Sequence, residues 1–336
     1  MLGPRNYIKN DTGSAIVVVG LGTPSIGVAR AATRLGLYVI GLDRNPRAAG
    51  SRLVDHQLLQ STHDKQVDAQ LHAIDIRGVI CSSSAPEARR TAAAIAQVLD
   101  VPGPARNVNV FNDKLLLAQT LGELSPHTSL ERARIGSVNV YEKPRFGHGL
   151  HASNHSSVFQ VRLHGKEFFV GGVAGQSDSS PSVVLRKHVS RTPHRQVHSY
   201  TGLIRNVHSD NYPSILSENE SDNAALTQVW KAAQERLSTG QLFLGMDCII
   251  DSKSGVPRVI DCGPLWDLGL EHLLPIVGID VQQQLVASFL DEQVGAPRRP
   301  PIRNHMHSAV HFSAAAEVLA TVPVLTSLSV SYRGGQ

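Results

Sequence analysis

Two aspartates, Asp247 and Asp261, carry the clearest chemistry in the sequence. They sit in LFLGMDCIID (242–251) and VPRVIDCGP (256–264), apolar segments on either side of the turn SKSG. Folding the chain back through that turn sets the two carboxylates opposite or nearly opposite each other on one face. Directly opposed side chains on antiparallel strands are about 5 Å apart at Cβ, and like charges there are destabilising. Such a pair calls for a cation. The hard-oxygen choice is Mg²⁺, which takes one or two protein carboxylates and completes its shell with phosphates and water. The alternative is that one aspartate simply faces solvent at a strand end.

One lysine could grip the phosphates that such an ion accompanies. Lys143 lies in the extended segment YEKP and is followed by RFGHG, with Gly147 and Gly149. Glycines let backbone approach phosphate oxygens closely, and a strand-borne lysine adds a point charge. Lys114 opens a helix in VFNDKLLLAQTLGEL (110–124), capped by Asn112 or Asp113. Cys81, in CSSSAPE, has no histidine partner that the sequence fixes, so it reads as a strand-end loop residue and not as a nucleophile.

These residues need elements to hold them. From Ala15 to about Ala105, strand patterns (IVVVGL, YVIGLD, GVICSS) alternate with helical ones (SIGVARAATRLG, a stretch around DKQVDAQLHAI, PEARRTAAAIAQVLD). That alternation predicts a parallel sheet covered on both faces, with functional loops at the strand C-termini, 20–27, 43–50 and 81–88. The turn GLGTPSIG, followed by Asp43 after the next strand, is laid out like a dinucleotide site. Its third glycine is displaced, however, because Ser25 stands where G-x-G-x-x-G needs glycine and Pro24 lacks an amide hydrogen. A plain structural turn is the competing explanation. Beyond residue 137 the character changes. SVFQVRLHGKEFFVGGVAG predicts a hairpin turning at His164–Lys166, 174–224 is polar and unassigned, NAALTQVWKAAQERLSTG (223–240) is an amphipathic helix, and a last helix is expected from Val281 to Glu292.

Bulk properties exclude several classes. The 336-residue chain is 41% hydrophobic, with no apolar run of membrane-spanning length. Its three cysteines, Cys81, Cys248 and Cys262, have no C-x-x-C spacing, which argues against disulfide frameworks and cysteine zinc sites and predicts a reducing, cytoplasmic setting. Net charge is +4, with basic residues dispersed or gathered in RKHVSRTPHR and APRRPPIR without interleaved aromatics. This gives little support to nucleic-acid binding and suits a small anionic ligand equally well.

Taken in order, the motifs resemble those of the ATP-grasp superfamily of ligases. A nucleotide-fold-like domain is followed by Asp113-Lys114, by Lys143-Pro144 with its glycine loop, by a Q-x-x-x-x-G-x-E turn (Gln160, Gly165, Glu167), and by Asp247 and Asp261-Cys262-Gly263-Pro264. The resemblance spans about residues 15–292. It implies an α/β fold: a Rossmann-like pre-ATP-grasp domain (15–108) after a leader (1–14), then a two-part α+β ATP-grasp domain, its small part with the linker helix at 109–175 and its large part at 176–295, and a C-terminal linker and tail (296–336). It also implies that Lys114 and Lys143 hold ATP phosphates, Gly147 and Gly149 cover them, Gln160 lies at the hinge, Glu167 meets the ribose, and Asp247 and Asp261 hold Mg²⁺. The arginine usual before the first metal aspartate is absent from LFLGMD, and Arg186 or Arg191 is the expected substitute. Where the family pattern ends in Glu-x-Asn-Pro-Arg, this chain has Asp261-Cys262-Gly263-Pro264-Leu265.

The implied reaction is ATP-dependent joining of a carboxylate to an amine through an acyl phosphate, on an amino acid or related small metabolite. Expected partners are therefore small molecules and, with room for a homodimer, neither nucleic acid nor membrane. The alternatives are a non-catalytic nucleotide-binding or scaffolding relative, a bicarbonate carboxylase, disfavoured by the lack of a biotin-carrier segment, and an NAD(P)-dependent oxidoreductase resting on the first glycine turn.

Overall fold

Five consecutive fully or nearly fully buried residues, AIVVV, form β1 (Ala15–Val19), a strand covered on both faces as a parallel sheet requires. The computed structural model describes residues 13–59, 71–83, 85–136, 139–146, 156–175, 180–192, 195–206, 213–264, 280–290, 308–317 and 324–332. After β1 come α1 (Ser25–Arg34), β2 (Tyr38–Leu42), β3 (His56–Leu58), β4 (Ile76–Cys81) and α2 (Pro86–Val98). The strands pair in parallel in the order β3-β2-β1-β4. Val17, Val19, Ile40, Leu42, Val79, Ile95 and Ala96 build the core beneath α2. The expected helix around 64–74 falls mostly outside the described residues.

The chain divides into two compact units, Met1–Val108 with Gly240–Leu242 and Gln282–Pro297, and Asn109–Thr239 with Phe243–Val281 and Arg298–Gln336. In the second unit, a 3-10 turn (Arg106–Asn112) leads into α3 (Lys114–Leu121), so the helix expected over 110–124 is regular only in its middle. Asp113, not Asn112, is its cap, accepting from the amides of Leu115 and Leu116. Next come β5 (Thr128–Ser129), β6 (Val140–Pro144), β7 (Ser157–Val161), β8 (Gly165–Ala174), β9 (Val183–Thr192), β10 (Arg195–Asn206) and β11 (Pro213–Leu216). They are followed by α4 (Glu220–Leu237), β12 (Leu242–Asp251), β13 (Pro257–Gly263), β14 (Ser308–Glu317) and β15 (Val324–Tyr332), while α5 (Val281–Ala287) belongs, all but its first residue, to the first unit.

Two sheets organise this unit, one of three strands (β5-β7-β6) and one of eight (β13-β12-β8-β9-β11-β10-β14-β15). This corrects the hairpin expected at His164–Lys166. β7 pairs with β5 and β6 while β8 pairs with β9, so the chain changes sheets at 162–164 instead of turning back on itself. The cause is local crowding: a side chain at Gly165 would lie 1.9 Å from the Ile250 carbonyl oxygen, so β8 starts against β12. The polar stretch left unassigned at 174–224 supplies β9, β10 and β11. The expected tail contributes β14 and β15, β14 pairing antiparallel with β10 from Arg195↔Glu317 to Ile204↔Ser308. Helix α4 starts at Glu220, three residues earlier than expected, because Asn219 caps it through the amides of Ser221 and Asp222. Helix α5 stops at Ala287, short of the expected Glu292.

Candidate functional site

The hairpin β12–β13 forms as its sequence requires, with the register pairing Met246 with Cys262 and Asp247 with Asp261. A bulge follows at Asp247/Cys248, and both flanking cysteines are buried. Burial pushes the Cys248 and Cys262 thiols far above their ordinary range. Burial likewise holds Cys81 at about 11, against a hydrogen bond to Ser83 and the nearby Arg89. None of the three is a thiolate nucleophile.

Asp247 and Asp261 are not left facing each other unaided. Lys187, on β9, donates from Nζ to both carboxylate oxygens of Asp247 at 3.0 and 3.1 Å. Asp261 Oδ1 accepts from the amide of Cys262 at 3.0 Å. Lys187 is a residue of the candidate site that sequence reasoning missed. It sits in the polar stretch whose strand character appears only once β8 and β10 pair with it.

Lys143 faces the same hairpin from the other sheet. Its ammonium donates to Gln160 Oε1 at 2.7 Å and to the Ile260 carbonyl at 3.2 Å. Gln160, buried on β7, donates in turn to Thr128 Oγ1, so it acts here as the bracket that aims Lys143. Burial pulls the Lys143 pKa below its ordinary value, Lys114 adds to the fall, and Asp261 and Asp247 oppose it. Those interactions place two lysines and two aspartates within electrostatic reach of one another.

Asp113 fixes the spacing between the lysine-bearing segments. Besides capping α3 at Lys114, it takes two hydrogen bonds from Arg145 Nε at 3.0 Å and one from Nη2 at 2.7 Å. The Lys114 amide donates to the Arg145 carbonyl at 2.9 Å. The start of α3 and the end of β6 are thereby clamped two ways. Lys114, Lys143, Gln160 and Asp261 line one small recess of about 10 Å³. Lys143 and Gln160 also wall a larger cleft of about 350 Å³, completed by Glu167, Lys187, Arg162 and Ile249. Its size suits a drug-sized or nucleotide-sized ligand.

The other expected residues fall out differently. Glu167 lies on β8 in register with Lys187. Arg186 precedes Lys187 on β9, and neighbouring strand residues point to opposite faces, so it is exposed on the side away from Asp247. Arg191 pairs with Gln196 in the backbone register, and its side chain is outside the described residues, as are Gly147 and Gly149. Among the described residues no cluster of three or more histidine, cysteine, aspartate or glutamate side chains could hold a metal without other ligands.

In the first unit the glycines of the dinucleotide-like turn pack closely against protein, beside a cleft of about 220 Å³ lined by Gly20, Asp43, Arg44, Ser83 and Glu87. Gly20 has φ +83°, and a side chain there would lie 2.5 Å from Ser83 Cβ. Ser82 Oγ donates to the Gly20 carbonyl. Gly27 is crossed by Gln282 of α5, whose amide would lie about 2 Å from an added Cβ. Asp43 spends both oxygens on the backbone amides of Leu21 and Asn45. These glycines and this acid serve the turn itself.

Solved structures match this arrangement over most of the chain. The N5-carboxyaminoimidazole ribonucleotide synthetase of Thermotoga maritima superposes with a TM-score of 0.60 at 16% identity, covering 89% of this chain and 80% of its own. The L-amino acid ligase of Bacillus licheniformis gives 0.60 at 18%, covering 90% and 80%. This is the ATP-grasp fold. The biotin carboxylase domain dimer of Hydrogenobacter thermophilus 2-oxoglutarate carboxylase, solved with MgADP, ADP and bicarbonate, gives 0.59 at 13%, covering 88% and 73%. No protein-family model and no curated protein sequence matches the chain.

Proposed function

We propose that this ATP-grasp protein is an ATP-dependent ligase that joins a small carboxylate, such as an amino acid, to an amine. One observation carries the reading: Lys143, braced by Gln160 at the wall of a cleft, lies within electrostatic reach of the opposed aspartates 247 and 261. ATP-grasp neighbours that act as an amino acid ligase or were solved with MgADP support it.

In this reading Lys114 and Lys143 hold the polyphosphate and Glu167 meets the ribose. Gly147 and Gly149 cover the phosphates, and Arg191, on the same strand face as Lys187, attends the reacting carboxylate. Asp247 and Asp261 hold Mg²⁺. Two carboxylates, one already hydrogen-bonded to a lysine, fit an ion that brings phosphate ligands with it and not one held by protein alone. Mg²⁺, when bound, neutralises the charge that develops on the transferring phosphoryl group. The carboxylate oxygen takes the γ-phosphoryl group with release of ADP, and the amine nitrogen then attacks the acyl carbon with phosphate as leaving group. The protein supplies alignment and charge, and no side-chain nucleophile is needed, in keeping with the buried, protonated cysteines.

The lysine already on Asp247 favours one second reading, a relative that binds nucleotide without turning it over. Phosphate release from Mg-ATP, screened over pairs of amino acids, separates the two. Turnover that falls at least about a hundredfold in Lys143→Met supports the ligase. Turnover unchanged in that variant refutes the site, and nucleotide binding with no turnover for any pair favours the second reading.

A further inference from the structure

Lys187 poses a question that the ligase reading leaves open: why the acidic pair carries a cation of its own. The ammonium touches both oxygens of Asp247, its side chain is only 11% exposed, and Asp261 stands directly opposite. Lys143, hydrogen-bonded to the neighbouring Ile260 carbonyl, is close enough for its charge to act on both aspartates. A bare divalent ion entering the pair would meet two positive groups, and it would have to break a partly buried ion pair, with Asp247 31% exposed, to reach that carboxylate. Removing one partner of such a pair is costly, because the other is left desolvated and unmatched. A metal carried on a polyphosphate meets a different balance, since the phosphate oxygens give the lysines new anions to face.

We propose that Lys187 is the specificity-determining cation of this site: it occupies Asp247 until nucleotide arrives and so closes the aspartate pair to free divalent metal. The proposal rests on the nucleotide reading only for the identity of the ligand that opens the pair. Its central claim concerns the nucleotide-free protein.

Manganese binding followed by electron paramagnetic resonance tests it directly, using Mn²⁺ alone with the full chain. The wild-type protein should bind Mn²⁺ weakly without nucleotide and hold it once ADP is added. Lys187→Met should bind Mn²⁺ without nucleotide at least about tenfold more tightly than wild type, as expected for removal of one nearby positive charge. Lys187→Arg, which keeps the charge, should behave like wild type. The double variant Lys187→Met/Asp247→Asn should lose the gained binding, which would place that binding at this pair. Equal Mn²⁺ affinity for wild type and Lys187→Met overturns the proposal. So does tight binding by nucleotide-free wild type, a result that needs no variant to fold. Failure of the nucleotide reading looks different: ADP then leaves Mn²⁺ binding by wild type unchanged, while the contrast between wild type and Lys187→Met still decides the role of Lys187.

Discussion

Asp113 shows how much one side chain can be asked to do. Its carboxylate caps α3 and holds the Arg145 guanidinium, with side-chain exposures of only 15% and 28% for the pair. Burial pushes its pKa up, but the hydrogen bond from Arg145 and the capping amides outweigh that, leaving it below the ordinary value. A folded-state pKa below the unfolded one favours the charged form. The stabilisation is therefore present above the unfolded value, near 3.8, and is lost as the pH falls through the folded one. Asp113→Asn keeps a capping oxygen and loses the charge, so it should cost about 1–2 kcal/mol at pH 7. Thermal melts of the two proteins should converge as the pH drops below that value, and a gap that persists undiminished at low pH would assign the loss to the cap instead. The pairing of Asp247 with Asp261 was legible from spacing alone, whereas Lys114 and Lys143 stand out with the help of the ATP-grasp resemblance. Lys187 was not legible, because nothing local to RKHVSRT marks which face of the strand a distant aspartate will approach.

At the scale of elements, a short segment was readable where its neighbours in sequence are also its neighbours in space. The β12–β13 hairpin is such a case: its turn, register and opposed aspartates all follow from about twenty residues. The stretch 157–174 was not, because the partners of β7 and β8 belong to two different sheets. The same distinction governs the first glycine turn. Its local layout suggests a cofactor loop, whereas the contacts from Ser83 and Gln282 show glycines chosen for close packing. Gly20→Ala should therefore destabilise the first unit, by about 2–4 kcal/mol from the positive φ and the clash with Ser83 together. Urea unfolding should show the loss in the transition of that unit, and a midpoint that stays within error of wild type would contradict the packing account.

For the molecule as a whole, the two units predict different responses to nucleotides. Mg-ATP at a hundred times its dissociation constant should stabilise the unit that binds it by about 2.7 kcal/mol, or roughly 5 °C or more in melting temperature. NAD⁺ and NADP⁺ should leave the melt unmoved, because Gly20 and Gly27 are packed against Ser83 and Gln282 and Asp43 is committed to the amides of Leu21 and Asn45. A shift with NAD(P)⁺ and none with Mg-ATP would reverse the functional assignment. No helix among the described residues is long and apolar enough to cross a membrane. By itself, the sequence determined the parallel first sheet and the aspartate hairpin, since each rests on periodicity or spacing within one segment. Only the tertiary structure decided that Lys187 occupies Asp247, that Gln160 aims Lys143, and that β14 and β15 extend the large sheet. Those contacts join residues tens to more than a hundred positions apart, and pairing between strands, which no local pattern encodes, is what brings them together.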